Sequence, residues 1–154
     1  MNELTQRAAQ RADLPYILGL YAQPAMDDGR VLDEEHAGKI FERMQRYPDY
    51  VLYVGEMNGA IVASHALLIM DNLGHRGAPS AIVEDVVVAP QWQGRGIGRA
   101  MIAHALEIAR ERGCYKLVLS SNRRRLAAHR FYERLGFERH GYSFVMPLNE
   151  ERSA

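Results

Sequence analysis

Six consecutive residues, Gln93-Gly94-Arg95-Gly96-Ile97-Gly98, carry the clearest chemical signal in this 154-residue chain. They lie between a Val-rich apolar run, Ala81–Ala89, and the start of a helical pattern at Ile97. Glycines at alternate positions leave backbone N–H groups uncovered by side chains, and such groups at a strand-to-helix turn can converge on an anion. Phosphate is the natural guest, and Arg95 and Arg99 can add charge to a pyrophosphate. The same turn could instead connect strand to helix and bind nothing. Two better known phosphate motifs fail. Gly98 is followed by Arg99-Ala100 where a P-loop needs Lys-Ser/Thr, and Met101 stands where the dinucleotide fingerprint needs its third glycine.

A second candidate lies just upstream. Glu84 and Asp85 interrupt an apolar strand pattern beside Ile82, Val83 and Val86. Desolvation there raises a carboxyl pKa toward the range useful to a general base. Adjacent strand residues face opposite sides, so only one of the pair should address a given cleft. Either could instead pair with a basic side chain. Cys114, the only cysteine, cannot close an internal disulfide and reads as a small buried hydrophobe. The histidines at 36, 65, 75, 104, 129 and 140 share no metal-ligand spacing with carboxylates or cysteine, so no metal site is expected. Lys plus Arg and Asp plus Glu both total 19, which gives no global attraction to nucleic acid or an anionic membrane.

These groups need elements to hold them. Leu4–Ala9 suits a short strand, Asp13 an N-cap, and Pro15 the first turn of a helix reaching about Ala22. Gln23–Leu32 reads as a connector, and Asp33 opens a second helix with Ile40, Phe41 and Met44 on one face. Tyr50–Met57 and Ala60–Met70 form a hairpin across Asn58-Gly59. Asp71–Pro79 is a polar connection to the strand Ala81–Ala89. A helix follows over Ile97–Arg112, then a strand at Tyr115–Ser121, a helix at Leu126–Leu135 and a last strand at Tyr142–Met146. The length fits one domain, residues 1–154, and 47% hydrophobic with 25% charged residues is the mixture of a soluble globular protein. No apolar run approaches a membrane span and no leader pattern opens the chain, so a cytoplasmic location is expected.

Gln93, Gly96 and Gly98, at the end of the strand Glu84-Asp85-Val86-Val87-Val88-Ala89-Pro90, resemble the acetyl-coenzyme A signature Q/R-x-x-G-x-G/A of the GCN5-related N-acetyltransferases, the GNAT superfamily. Phe131-Tyr132-Glu133-Arg134-Leu135-Gly136-Phe137 resembles the segment that closes the same family's cofactor site. The resemblance implies a three-layer α+β fold. Its twisted, mostly antiparallel sheet would have about six or seven strands with about four helices, and splayed central parallel strands would hold the cofactor. It implies acetyl-coenzyme A as co-substrate, held by Gln93, Gly94, Arg95, Gly96, Ile97, Gly98 and Arg99 and by the backbone of Val86, Val87 and Val88. Direct attack by an amine in a ternary complex would follow, with Glu84 as a base acting through water and Tyr132 as the acid to the departing thiolate. Tyr132 also fits a core aromatic.

The family often carries Asn seven residues before that tyrosine. Here Arg125 takes the place and Asn122 stands earlier. Both are cofactor candidates, with the Arg123-Arg124-Arg125 run fitting the 3′-phosphate of coenzyme A or a solvated loop. Glu84–Val88 together with Gly113-Cys114-Tyr115-Lys116 is similar to the glucosamine-6-phosphate branch, while Ala128-His129-Arg130-Phe131-Tyr132 is similar to aminoalkylphosphonate acetyltransferases. The implied acceptor is a small-molecule amine, contacted from 23–32, 71–79 and the neighbourhood of Tyr142. Two other readings stay open, a catalytically silent acetyl-coenzyme A sensor and a protein or peptide N-acetyltransferase. A homodimer is implied by analogy alone.

Overall fold

The hairpin forms around its predicted turn. In a computed structural model that describes residues 3–148, β2 (Tyr50–Met57) and β3 (Ala60–Met70) run antiparallel with Met57 opposite Ala60. Asn58 and Gly59 take φ values of 52° and 77°, the left-handed pair that a two-residue hairpin requires. β1 (Thr5–Ala8) adds to β2, and β4 (Ser80–Val88) adds to β3, both antiparallel. β5 (Lys116–Val118) pairs parallel to β4, giving the order β1-β2-β3-β4-β5. The helices are α1 (Leu14–Tyr21), α2 (Glu34–Met44), α3 (Ile97–Glu111) and α4 (Leu126–Arg134). By contacts the chain divides into two compact units, Met1–Leu119 and Ser120–Ala154, so α4 stands alone in the second. Among the described residues no helix is long and apolar enough to cross a membrane.

In the first unit the period-two alternation of β2 sorts its side chains into two cores. Leu52 and Val54 pack with Ile17 of α1 and Phe41 of α2, while Met57 packs on the other side with Ile97 and Met101 of α3. The result is a three-layer α+β arrangement. Gly55 lets α3 sit close: a Cβ there would stand 3.0 Å from the Met101 sulfur and 3.3 Å from the Ala63 Cβ. His65 on β3 is wholly buried beside Tyr53, with rings stacked at 5.3 Å, and His104 of α3 meets that tyrosine edge-on at 5.0 Å. Neither His65 ring nitrogen has a hydrogen-bond partner among the described residues. Burial, then the neighbouring His104, pushes its pKa down to about 4.

Three expectations need correction. Five strands form among the described residues, and Tyr142–Met146 is not one of them. Tyr142 and Phe144 are each 93% exposed; strand-forming residues without a ladder partner do not make a strand. β5 is three residues long because its pairing with β4 stops at Ile82 opposite Val118, and this parallel pair lies at the sheet edge rather than its centre. Asp13 occupies the N-cap position of α1 without a capping bond. Its carboxylate is held by Arg7 at 2.7 and 3.0 Å and by the Gln10 N–H, which lowers its pKa.

Candidate active site

β4 is bent at the expected carboxylates. Ala66 of β3 faces Glu84 and Ser64 faces Val87, so Asp85 and Val86 together oppose the single residue His65. This is a β-bulge, and Asp85 takes the left-handed conformation there, with φ 52°. A bulge interrupts the alternation that would send neighbouring side chains to opposite faces, so strand alternation alone does not fix which carboxylate addresses the cleft. Both are exposed at the surface. Partial desolvation raises the Glu84 carboxyl, and Asp85 raises it further; Asp85 is raised by desolvation and then by Asp27. Two tyrosines missed in the sequence share this environment. Burial pushes Tyr21 up to about 12 with Asp85 adding to the shift, and Tyr50 is raised by burial, then Asp85, then Glu84.

Beyond Ile82, β4 has no pairing with β5, which leaves the outer edge of Val83–Val88 off the sheet ladder. The Ala89 N–H donates to the Val62 carbonyl at 2.8 Å. Antiparallel alternation then makes Ser64 and Val87 the next hydrogen-bonded pair and turns the N–H and C=O of Val88 toward the outer edge. There the Val88 carbonyl accepts from the Gln93 side-chain amide at 3.0 Å and from that of Gln23 at 3.2 Å. A carbonyl can only accept, so both amides must present nitrogen.

The glycine turn follows directly. Gly94 and Gly96 have φ values of 72° and 83°, and Gly96 is the N-cap of α3. The first bond of the helix runs from the Ala100 N–H to the Gly96 carbonyl, so the N–H groups of Ile97, Gly98 and Arg99 lie outside the helical ladder. A Cβ built on Gly94 or Gly96 would meet nothing within 4 Å, so the turn opens onto free space. A 15-residue helix directs the positive end of its dipole into that space. These features fit a pyrophosphate-bearing ligand. Arg95 lies over Trp92, with its guanidinium 5.1 Å from the centre of the ring.

Glu84, Val86–Val88 and Gln93–Arg99 thus form one continuous stretch of the first unit, whereas Asn122, Arg125 and Tyr132 belong to the second. Tyr132 is half-buried on α4, packed edge-on against Phe131 at 5.1 Å and Phe137 at 5.8 Å. Burial raises its hydroxyl pKa, and Arg125 opposes the shift. Asn122 builds the turn into α4: its Oδ1 accepts from the Arg124 N–H and its carbonyl accepts from the Arg125 N–H. Cys114 is half-buried rather than core, with its thiol pKa raised mainly by burial. Gln23 escaped the sequence reading because nothing in a connector beside Pro24 signals a bond to a strand 65 residues away.

A bulged, partly unpaired strand running into a glycine-capped helix defines an α+β domain with the geometry to receive an anion. The profile of the Acetyltransferase (GNAT) family matches residues 6–137, and the chain belongs to that family. It is 39% identical over 89 residues to a glucosamine 6-phosphate N-acetyltransferase of Trypanosoma brucei brucei, covering 58% of each chain. It is 35% identical over 91 residues to an aminoalkylphosphonate N-acetyltransferase of Salmonella typhimurium, covering 59% of this chain and 58% of that one. The chain therefore spans somewhat under two thirds of these curated relatives. The crystal structure of a Trypanosoma brucei acetyltransferase superposes with a TM-score of 0.80 at 32% identity, over 95% of this chain and all of the other.

Proposed function

We propose that this protein transfers an acetyl group from acetyl-coenzyme A to the amine of a small molecule. The observation that carries the reading is the turn at Gly94–Gly96, where three unbonded helix N–H groups open onto free space at the end of a strand whose outer edge is off the ladder. The N–H groups of Ile97, Gly98 and Arg99 bind the pyrophosphate, with Gln93, Gly94, Arg95 and Gly96 shaping the turn and adding charge. The backbone of Val86 and Val88 holds the pantetheine arm as an added strand would be held, whereas Val87, expected to share this role, is paired with Ser64 of β3 and turns its N–H and C=O inward. Asn122 is assigned to the cofactor as a substitute for the family's Asn, and Arg125 to the 3′-phosphate of coenzyme A. When bound, acetyl-coenzyme A supplies a thioester whose acyl carbon accepts the amine.

An ammonium of pKa near 10 must lose a proton first, at a cost of about 4 kcal/mol at pH 7. Glu84 accepts that proton through water, and desolvation makes it a stronger base than an ordinary surface carboxylate. By the family resemblance alone, Tyr132 is assigned the proton that the sulfur takes as it leaves. Its raised pKa keeps the phenol protonated at neutral pH, so it is always loaded as a donor. No covalent enzyme intermediate is needed, in keeping with a Cys114 thiol whose pKa lies above its ordinary value.

Two curated relatives are named for amines that carry a phosphate or phosphonate, and this supports an acceptor of that class. The test is thiol release from acetyl-coenzyme A across amino-sugar phosphates, aminoalkylphosphonates, aminoglycosides, polyamines and peptides. Turnover with a phosphorus-bearing amine is expected. Binding of coenzyme A without turnover on any amine would point to a sensor, and turnover on peptides alone to a peptide acetyltransferase.

A further inference from the structure

The segment between α1 and α2 is joined to β4 by a hydrogen bond on the strand edge proposed for the cofactor arm. Residues 22–30 close on themselves: the Gln23 carbonyl accepts from the Met26 and Asp28 N–H groups at 2.9 and 3.2 Å, and the Ala22 carbonyl accepts from Gly29 at 2.9 Å. Met26 packs onto a buried cluster of Leu20, Val87 and Ala89. Between Val87 and Ala89, the Gln23 amide donates to the Val88 carbonyl, and its own Oε1 accepts from Gln93 at 3.4 Å. Gln23 therefore organises the segment through its backbone and fastens it to β4 through its side chain.

A carbonyl oxygen has two lone pairs, and both on Val88 are taken, one by Gln93 and one by Gln23. An arriving amide N–H must displace one of them. The Gln23 bond is the longer, at 3.2 against 3.0 Å, and its carrier lies in a different segment of chain. We propose that Gln23 is a positioning residue whose amide is released from the Val88 carbonyl when the amide-bearing arm of coenzyme A docks on β4, so that cofactor occupancy loosens the tether of residues 22–30. This rests on the acetyl-coenzyme A reading above. It ties the segment expected to meet the acceptor to the state of the donor site without any side chain touching both substrates.

Coenzyme A itself is the probe, and amide hydrogen exchange is the readout. In the wild-type protein, coenzyme A should speed exchange severalfold at Met26, Asp28 and Gly29. In Gln23→Ala those amides should already exchange at the faster rate, and coenzyme A should add nothing. The carbonyl keeps its Gln93 donor in that variant, so the fold should survive. Gln23→Glu, equal in size but without the donor, should match Gln23→Ala and guards against a packing explanation. Gln23→Ala should bind coenzyme A at least as tightly as wild type in calorimetry, because a competitor for Val88 is gone. Equal effects of coenzyme A on exchange in wild type and Gln23→Ala would overturn the proposal, as would no effect in either. Failure of the wild-type protein to bind coenzyme A would overturn the acetyltransferase reading as well, which separates the two failures.

Discussion

Glu84 and Asp85 show how little a residue's type says about its job until the backbone under it is known. On a regular strand they would point apart. At the bulge, with Asp85 at φ 52°, each carboxyl has a pKa raised first by desolvation, and Asp85 pushes further on Glu84. A general base works only when ionised, so activity should fall as pH drops through the raised pKa of Glu84. Glu84→Gln should lower kcat/KM about a hundredfold and flatten that acidic limb. Asp85→Asn should keep the limb and move it to lower pH, since removing the neighbouring negative charge lets Glu84 ionise more easily. Profiles of kcat/KM against pH for the three proteins check this. The opposite pattern would make Asp85 the base.

At the scale of elements, the proposed cofactor site is the junction of β4 and α3, and one glycine sets its geometry. Gly96 is the N-cap at φ 83°, a conformation that costs a β-branched residue about 1–3 kcal/mol. Gly96→Val either keeps the turn under strain, with its side chain in the open space before α3, or abandons the left-handed cap and turns the N–H groups aside. Coenzyme A affinity, measured by calorimetry, should fall at least about tenfold by either route, since roughly 1.4 kcal/mol suffices for that factor. Normal affinity would remove the loop from the cofactor site. β4 matters equally, because its pairing with β5 stops at Ile82 and frees the outer edge through Val88. A strand paired along its full length would have no N–H or C=O to offer a ligand on that side.

At the scale of the whole molecule, the buried imidazole opposite the bulge ties stability to pH. His65 titrates near 4 when folded and near 6.5 when unfolded. The unfolded chain therefore binds the proton more readily at acidic pH. The contribution is intact above about pH 6.5 and is lost progressively as pH falls toward 4, up to about 3 kcal/mol. His104 responds in the same direction through its own burial, offset by Glu107 and Glu111, and Tyr53 stays uncharged throughout this range. Urea melts at pH 7.5 and 5 should show a loss of stability that shrinks markedly in His65→Phe, which keeps a ring against Tyr53 without a titrating nitrogen. An unchanged loss would place the acid sensitivity elsewhere.

Local rules wrote much of this protein into its sequence. Asn58-Gly59 fixed a hairpin because few other pairs tolerate two left-handed residues, and Gln93–Gly98 announced a strand-to-helix turn with exposed N–H groups. Helix positions followed from apolar spacing, as with Ile40, Phe41 and Met44, and from stops such as Gly113. Those signals act over a few residues, so they survive in a one-dimensional reading. What required the folded chain was everything set by partners far away in sequence. The bulge exists only in register with β3, β5 is short because β4 parts from it, and Tyr142–Met146 lacks the ladder that would make it a strand. Gln23 and Val88 meet across 65 positions, and no local propensity encodes a hydrogen bond closed by the packing of α1 and Met26 against β4.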